Sequence, residues 1–433
     1  MSSNPDKAKK HRPWYNLVLH LHPGRVNEDT LRFTLSFGLG GMAALLFVIQ
    51  VITGLLLKFH YVPSPGGAYD SILKITDGLL FGQLAHNIHH WSAILLLWIT
   101  FLHMLRVFFT GAYRKPRQVT WTFGLVLLIA VVLSNFTGYL LPWDQLSYWA
   151  VTISTSLLQY IPLVGDALNR ALIGGTEVGS STLSNFFNLH TGIIPAILVL
   201  LMAHHFWRIR KAGGLIVPEG PKEPKMVNTQ PYLTSREFVV ALVIIAFLLT
   251  ISVLFDAPLR ERANPSFSPN PAKAPWYFMG LQELLIHFHP FFAVFIIPLT
   301  ILTASLWLPY IRLNDSNHGI WFLSHRGRKA GIYAACSAAL FSVIFILVSE
   351  VLPDPETILP GIPSLITTGL VPFIIVSGSI YIFMDMLKKN LEINRSEYIQ
   401  ALMIILVVSY TVLSLVGILF RGEGMSLEWP WQL

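Results

Sequence analysis

Residues 82–110, GQLAHNIHHWSAILLLWITFLHMLRVFFT, form an apolar run long enough to span a bilayer, and the run carries His89 and His103 fourteen residues apart. A helix turning about 100° and rising about 1.5 Å per residue leaves such a pair about 40° apart around the axis and about 21 Å apart along it. The two imidazoles therefore share one face at two membrane depths. A second apolar run repeats the device, with His190 followed by His204 at fourteen residues and His205 at fifteen. Side by side, two such helices present two cross-helix histidine pairs stacked along the membrane normal. An imidazole on each axial side is what a six-coordinate haem iron takes. A lone histidine in a membrane helix is more often an interhelical hydrogen-bonder or part of a polar cavity. Two pairs at matched spacing point instead to two haems and an electron path across the membrane.

Hydrophobic residues make up 53% of the chain and charged residues 12%, and the apolar ones come in runs of about twenty, so the chain belongs in lipid. Runs fall at 33–59, 82–110, 119–141, 186–209, 236–255, 288–311, 331–350, 364–387 and 398–420. This predicts an all-α, multi-pass membrane protein of about nine transmembrane helices. With a cytoplasmic N-terminus, most Lys and Arg fall in the same-side loops 113–118, 208–236, 312–329 and 388–395, as the positive-inside tendency requires. That placement also accounts for the net charge of +7 without nucleic acid. Residues 1–32 read as a cytoplasmic or interfacial arm with Trp14 and Tyr15 as anchors and no cleavable signal. The lone Cys336 sits in an apolar run with no CxxCH around it, so any haem is expected to be held non-covalently.

Glycine adds a second periodicity. Gly40 and Gly54 in the first run, and Gly124 and Gly138 in the third, repeat the fourteen-residue interval of His89 and His103. A missing Cβ lets a flat macrocycle or another backbone come close. Single glycines in membrane helices serve ordinary packing, but four at the histidine interval favour two macrocycle slots. Arg106, one turn after His103, is a candidate partner for a haem propionate, with a snorkelling helix-end arginine as the alternative.

At this density of motifs the chain resembles the cytochrome b subunit of quinol-oxidising cytochrome bc complexes. The resemblance lies in HHWSAILLLWITFLHMLRVFFTGAYRKPRQVTWTFG, GYLLPWDQLSYWAVTIST and LHTGIIP…HFWRIRK, and looks most like the b/f-type branch of photosynthetic membranes. It covers about residues 12–215 densely. The remainder is similar, more sparsely, to the family's C-terminal part, a separate polypeptide in that branch and fused here. The resemblance implies a four-helix dihaem bundle at 33–215, a cytoplasmic linker at 216–235 and a C-terminal transmembrane part at 236–433 bearing a quinol-site loop. It implies an outer haem on His89 and His190 and an inner haem on His103 and His205, in the cytoplasmic membrane of a bacterium. It implies quinol oxidation at an outer site, one electron passing to a Rieske iron–sulfur protein and on to a c-type cytochrome, and the other passing through the haems to an inner quinone. Proton translocation and a homodimer within a larger complex are implied by the same resemblance.

Strict helical spacing from His190 favours His204, but Pro195 removes a backbone donor and loosens the helix. The HFWRIRK context also resembles the family's ligand, so His205 is the expected ligand. The outer wall is expected to include Tyr139, Pro275, Trp276 and Tyr277, and the inner quinone site Arg210 and Arg236. A surface helix is expected within 142–185, and the loop 256–287 as quinol-site wall and Rieske docking surface.

The chain departs from the family at four places. The outer-site Pro-Glu-Trp-Tyr is Ala274-Pro275-Trp276-Tyr277 here, His86 stands where an arginine usually meets a propionate, Gly38 stands where the b/f branch has a haem-bearing cysteine, and a ninth span exceeds the family's eight. No covalent haem is therefore expected. Because quinol oxidation releases protons, an acceptor is required. Glu283, seven residues after Trp276 and about 20° short of two helical turns, is expected to share its face and replace the missing carboxylate. His287 and His289 are rivals. Two other functions compete: a dihaem membrane anchor that does not split the two electrons of the quinol, and a transporter with a histidine-lined proton path.

Overall fold

The computed structural model describes residues 22–217, 225–313, 319–353 and 355–431. Trp14, Tyr15 and the rest of 1–21 lie outside the described residues, as do Gln432 and Leu433. Among the described residues, nine helices are long and apolar enough to cross a membrane: Leu39–Lys58, Gly82–Phe109, Gln118–Tyr139, Ser180–Lys211, Thr229–Leu254, Phe291–Tyr310, His325–Val351, Leu365–Leu391 and Arg395–Leu419. They are numbered here as the first to ninth spans. Large apolar side chains such as Val243, Val253, Leu340, Ile374 and Ile382 stand more than half exposed, the outward face of an integral membrane protein.

Local chemistry sets where the spans begin. The first run breaks at Phe37 and Gly38, both left-handed, so Phe33–Ser36 is a separate short helix and the span starts at Leu39. The seat of Gly38 is close, since a Cβ there would meet Val240 of the fifth span at 3.3 Å. Asn394 and Glu397 form a reciprocal capping box that opens the ninth span. The fifth helix begins at Thr229, inside the stretch expected as linker.

The first five spans share one core, in which Leu46, Phe47, Leu96, Leu97, Ala130, Val131, Ile194, Leu198 and Leu248 interlock. A second core joins the seventh, eighth and ninth spans. There Ala330, Ala334 and Ala338 form a small-residue stripe that admits Ala401 and Ile405, with Met384 and Leu387 alongside. Lipid gives no hydrophobic drive between helices, so close van der Waals approach of this kind carries the association.

The loops sort into two sides. On one, Arg25–Asn27 pairs antiparallel with Met226–Asn228; Arg117 donates to the carbonyls of Ala212 and Gly214; Arg114 donates to Ser396; and the Gly319 N–H donates to the Thr110 carbonyl. On the other, Gln145 N–H donates to the Glu261 carbonyl, Arg262 pairs with Asp70, and Gly424 N–H donates to Asn270 at 2.6 Å. The segment after the ninth span thus lies opposite the segment before the first.

The expected surface helix in 142–185 is two helices, Gln145–Ser156 and Gly165–Ile173, leading into the fourth span. Asp144 caps the first by accepting from Ser147 N–H at 2.8 Å, and its other oxygen accepts from Arg260 N–H at 3.0 Å, tying this helix to the 256–287 loop.

Candidate functional site

The second and fourth spans bring His89 and His190 together, ring centroids 6.2 Å apart and planes at 84°. Two metal–imidazole bonds of about 2 Å each, plus about half a ring on either side, sum to roughly 6 Å. The gap is wide enough for one metal ion to be held between the two rings. His89 Nδ1 lies 2.9 Å from Thr53 Oγ1, and His190 Nδ1 donates to the Ser134 carbonyl at 2.9 Å. Anchoring Nδ1 in this way fixes each ring and leaves Nε2 for a ligand. Gln50 of the first span donates to the His89 carbonyl at 2.6 Å, holding the helix backbone at this depth.

The glycines meet the histidines one for one. A Cβ on Gly54 would sit 3.2 Å from His89 Cε1, on Gly138 2.5 Å from His190 Cε1, on Gly40 3.3 Å from His103 Cε1, and on Gly124 3.4 Å from His205 Cε1. All four positions lie along the two histidine pairs, on the first and third spans that flank them. The residues thus fit two flat groups, each lying against one histidine pair.

His103 and His205 line one large cavity of about 1030 Å³, together with Gly40, Gly124, Arg106, Arg117, Arg210 and Arg236. His204 points elsewhere: its ring packs on Phe123 at 4.1 Å and on Trp207 at 5.4 Å. The fifteen-residue step from His190 to His205 is taken up by a π-helical turn, Leu189–Ile193, placed just before Ile194 and Pro195. A π-turn absorbs one extra residue, so a fifteen-residue step spans what fourteen span in a plain helix. Arg106 is buried in the cavity wall; its Nε donates to the Leu35 carbonyl at 2.9 Å, and its Nη2 has no partner among the described residues. A desolvated guanidinium with a spare donor fits an anionic substituent in the cavity. Burial lowers the Arg117 guanidinium from its usual range, at the cavity's loop edge.

At the other end, Trp276 stacks on Trp98 of the second span, centroids 5.0 Å apart and planes at 9°. Pro275 is buried beside it. Tyr277 follows, its carbonyl accepting from the Tyr410 hydroxyl at 2.6 Å, while its own buried hydroxyl has no partner among the described residues. Burial, with Tyr139 nearby, pushes that phenol up. Tyr139, Pro275, Trp276 and Tyr277 thus collect at one corner.

Glu283 does not share the face of Trp276. It is fully buried on the short helix Met279–His287, where Arg421, from beyond the ninth span, reaches both its oxygens at 2.6 and 3.0 Å and His287 Nε2 lies 3.1 Å away. Burial pushes this carboxyl up, but hydrogen bonds from His287 and Arg421 outweigh it and hold the group below the usual carboxylate range. Arg421, Glu350 and Ser349 are the residues that reading the sequence missed. The one available signal was a lone arginine directly after an apolar run, in a tail that is otherwise acidic and aromatic.

Residues 28–213 match the family described as Cytochrome b/b6/petB. Cytochrome b6 of Heliomicrobium gestii is 42% identical over 177 residues, 41% of this chain and 83% of that protein. The menaquinol:cytochrome c reductase cytochrome b subunit of Geobacillus thermodenitrificans is 38% identical over 201 residues, 46% of this chain and 90% of that protein. The cytochrome bc complex cytochrome b subunit of Chlorobaculum thiosulfatiphilum is 36% identical over 278 residues, 63% of this chain and 64% of that protein. A solved hyperthermophilic respiratory Complex III chain superposes with a TM-score of 0.67 over 95% of this chain and 98% of that one, at 22% identity, a likeness of fold.

Proposed function

The chain belongs to the cytochrome b/b6 family, and from that premise we propose that it is the redox subunit of a membrane quinol:cytochrome c-type oxidoreductase. The observation that carries this reading is the pair of histidine couples, each backed by glycines on the flanking spans. His89 with His190 would hold one b-type haem and His103 with His205 the other, and when bound these supply one-electron transfer between the two sides of the membrane. The protein's own work is to orient His89 and His190 through Nδ1, exclude water with the shared core of the first five spans, and offer Arg106 to a propionate. No covalent haem belongs to this reading, because Gly38 offers no thiol.

Tyr139, Pro275, Trp276 and Tyr277 form the quinol wall on the side of the Asp144 and Arg260 loops, and Arg210 and Arg236 border the quinone end of the large cavity. In this reading 33–215 is the dihaem bundle, 216–235 the linker and 236–433 the quinol-site part, with the N-terminus cytoplasmic. A Rieske protein and a c-type cytochrome receive the electrons, the complex is dimeric, and proton release and uptake on opposite sides store energy. A dihaem anchor without electron splitting is the second reading. It is favoured by Pro275 in place of a carboxylate and by the ion pair that already engages Glu283.

A reduced-minus-oxidised spectrum of the purified complex should show two b-type components, His89→Ala removing one and His205→Ala the other. No α-band, or retention of both in His205→Ala with loss in His204→Ala, overturns the assignment. A co-purifying Rieske subunit, absent for a simple anchor, separates the two readings.

A further inference from the structure

Arg421, just beyond the ninth span, meets a buried cluster of titratable groups on the helix Met279–His287. Glu283, His287 and Arg421 have side chains 0%, 2% and 1% exposed, and Arg421 Nη1 also holds Glu350, 31% exposed, at 2.5 Å. With His287 neutral, two carboxylates face one guanidinium, and the buried set carries one net negative charge. A single proton on His287 brings it to zero. Low dielectric around the three buried groups makes that difference large.

The hydrogen bonds around the ring suit both states. Ser349 Oγ lies 2.8 Å from His287 Nδ1 and 2.8 Å from the Ile346 carbonyl. A serine has one proton and can turn it either way. Turned to Ile346, the hydroxyl leaves its oxygen to accept from Nδ1–H, while Nε2–H donates to Glu283, the pattern of an imidazolium. Turned to Nδ1, it donates to a neutral ring whose Nε2–H still faces Glu283. The proton is thus gained or lost by a hydroxyl rotation, with no heavy atom moving and no donor stranded. From its remaining sides the ring meets Phe345 edge-on at 5.5 Å. The next histidine along, His289, turns to Tyr160 at 5.9 Å. Glu283, held ionised by Arg421, keeps its role as a fixed anion and leaves the proton to His287.

We propose that Glu283, His287, Ser349, Glu350 and Arg421 form a one-proton site on the quinol-wall side of the protein, loaded at His287 and emptied to solvent past Glu350. The site's use rests on the quinol reading above. The helix that carries Glu283 and His287 starts directly behind Trp276 and Tyr277, so a proton released from a quinol hydroxyl at that wall passes through water to His287, then by Ser349 to water at the half-exposed Glu350. No electron travels with it.

The test uses the purified complex with its haems and no quinol. Infrared difference spectra taken between about pH 5 and about pH 9, with the His287→Gln spectra subtracted, should leave one imidazole band change. In Glu350→Gln one negative charge fewer should move its midpoint acidward by about one pH unit. A subtraction that leaves no imidazole band change, or a midpoint unmoved in Glu350→Gln, overturns the site; if His287→Gln does not assemble, the Glu350→Gln shift decides alone. Quinol-driven haem reduction is then read separately. It should fall about tenfold or more in His287→Gln with haem bands intact, and an unchanged rate removes the site from quinol oxidation. Should quinol fail to reduce the haems of the unmutated complex while the titration behaves as described, the functional reading falls and the proton site stands.

Discussion

Gly138 is the tightest of the four slots. A Cβ there would lie 2.5, 2.9 and 3.1 Å from Cε1, Nδ1 and Nε2 of His190, against the whole ring rather than its tip. The ring cannot turn aside without giving up its bond to the Ser134 carbonyl. At Gly124 the same atom would meet only Cε1 of His205, at 3.4 Å, an ordinary contact. Gly138→Ala should therefore cost about 1–3 kcal/mol of overpacking and remove the spectral component assigned to His89 and His190, whereas Gly124→Ala should keep both components. Equal spectra for the two variants would show that the glycines serve helix packing alone. That glycines recur at the histidine interval was legible in the sequence, because a fourteen-residue interval repeated on three helices is a geometric statement that needs no partner to be known; which glycine meets which histidine was not. The partner of Glu283 was not legible. Arg421 lies 138 residues away, and nothing local to either residue encodes a contact between elements so distant in the chain.

Among the elements, the fourth span shows how a regular pattern misleads by one residue. Periodicity alone points to His204, and the π-turn at Leu189–Ile193 moves the register to His205. Pro195 was the visible hint, since it sits at the start of the α-helical stretch and leaves a backbone carbonyl of the preceding turn without its usual donor. The extra residue itself carries no mark in the sequence. Removing it gives a prediction: deleting Gly192 turns the π-turn into plain α-helix, keeps the residues on either side in register and should preserve both haem components. Deleting Leu200 from the α-helical stretch instead rotates everything beyond by about 100° relative to His190 and should abolish the component assigned to His103 and His205. Loss of that component in both deletions would mean that the π-turn does not set the register. The first, second, third and fifth spans needed no such correction, because they are long and free of internal proline beyond the first turn.

At the scale of the whole molecule, the ninth span has the consequence that the segment after it folds on the side of Asn270 and Gln282, where Trp276 and Tyr277 lie. A reporter placed in the 113–117 loop and one placed after residue 433 should read opposite sides of the membrane, and the same side for both would show the span count to be wrong. The tail on that side does more than end the chain. Arg421 is almost fully buried, donates to both oxygens of Glu283, to Glu350 and to the Met425 carbonyl, and the tail closes back through the Glu428 N–H onto the Phe420 carbonyl. Paired in this way, a buried carboxylate adds little net stability, since desolvation offsets most of the attraction; left alone it costs about 3–5 kcal/mol. Two truncations separate these cases. A chain ending at residue 428 keeps every one of those bonds, losing only residues 429–433 with the stacked Trp429 and Trp431, and should retain quinol oxidation and thermal stability close to those of the full chain. A chain ending at residue 420 keeps all nine spans but strands Glu283 in the helix behind Trp276 and Tyr277, so its melting temperature and its quinol oxidation should both drop while both haem components persist, the histidine couples lying in the separate core of the first five spans. If the shorter chain oxidises quinol as fast as the longer, the tail is a tether rather than part of the outer site, and the arginine's reach into the helix behind the wall is incidental to the chemistry.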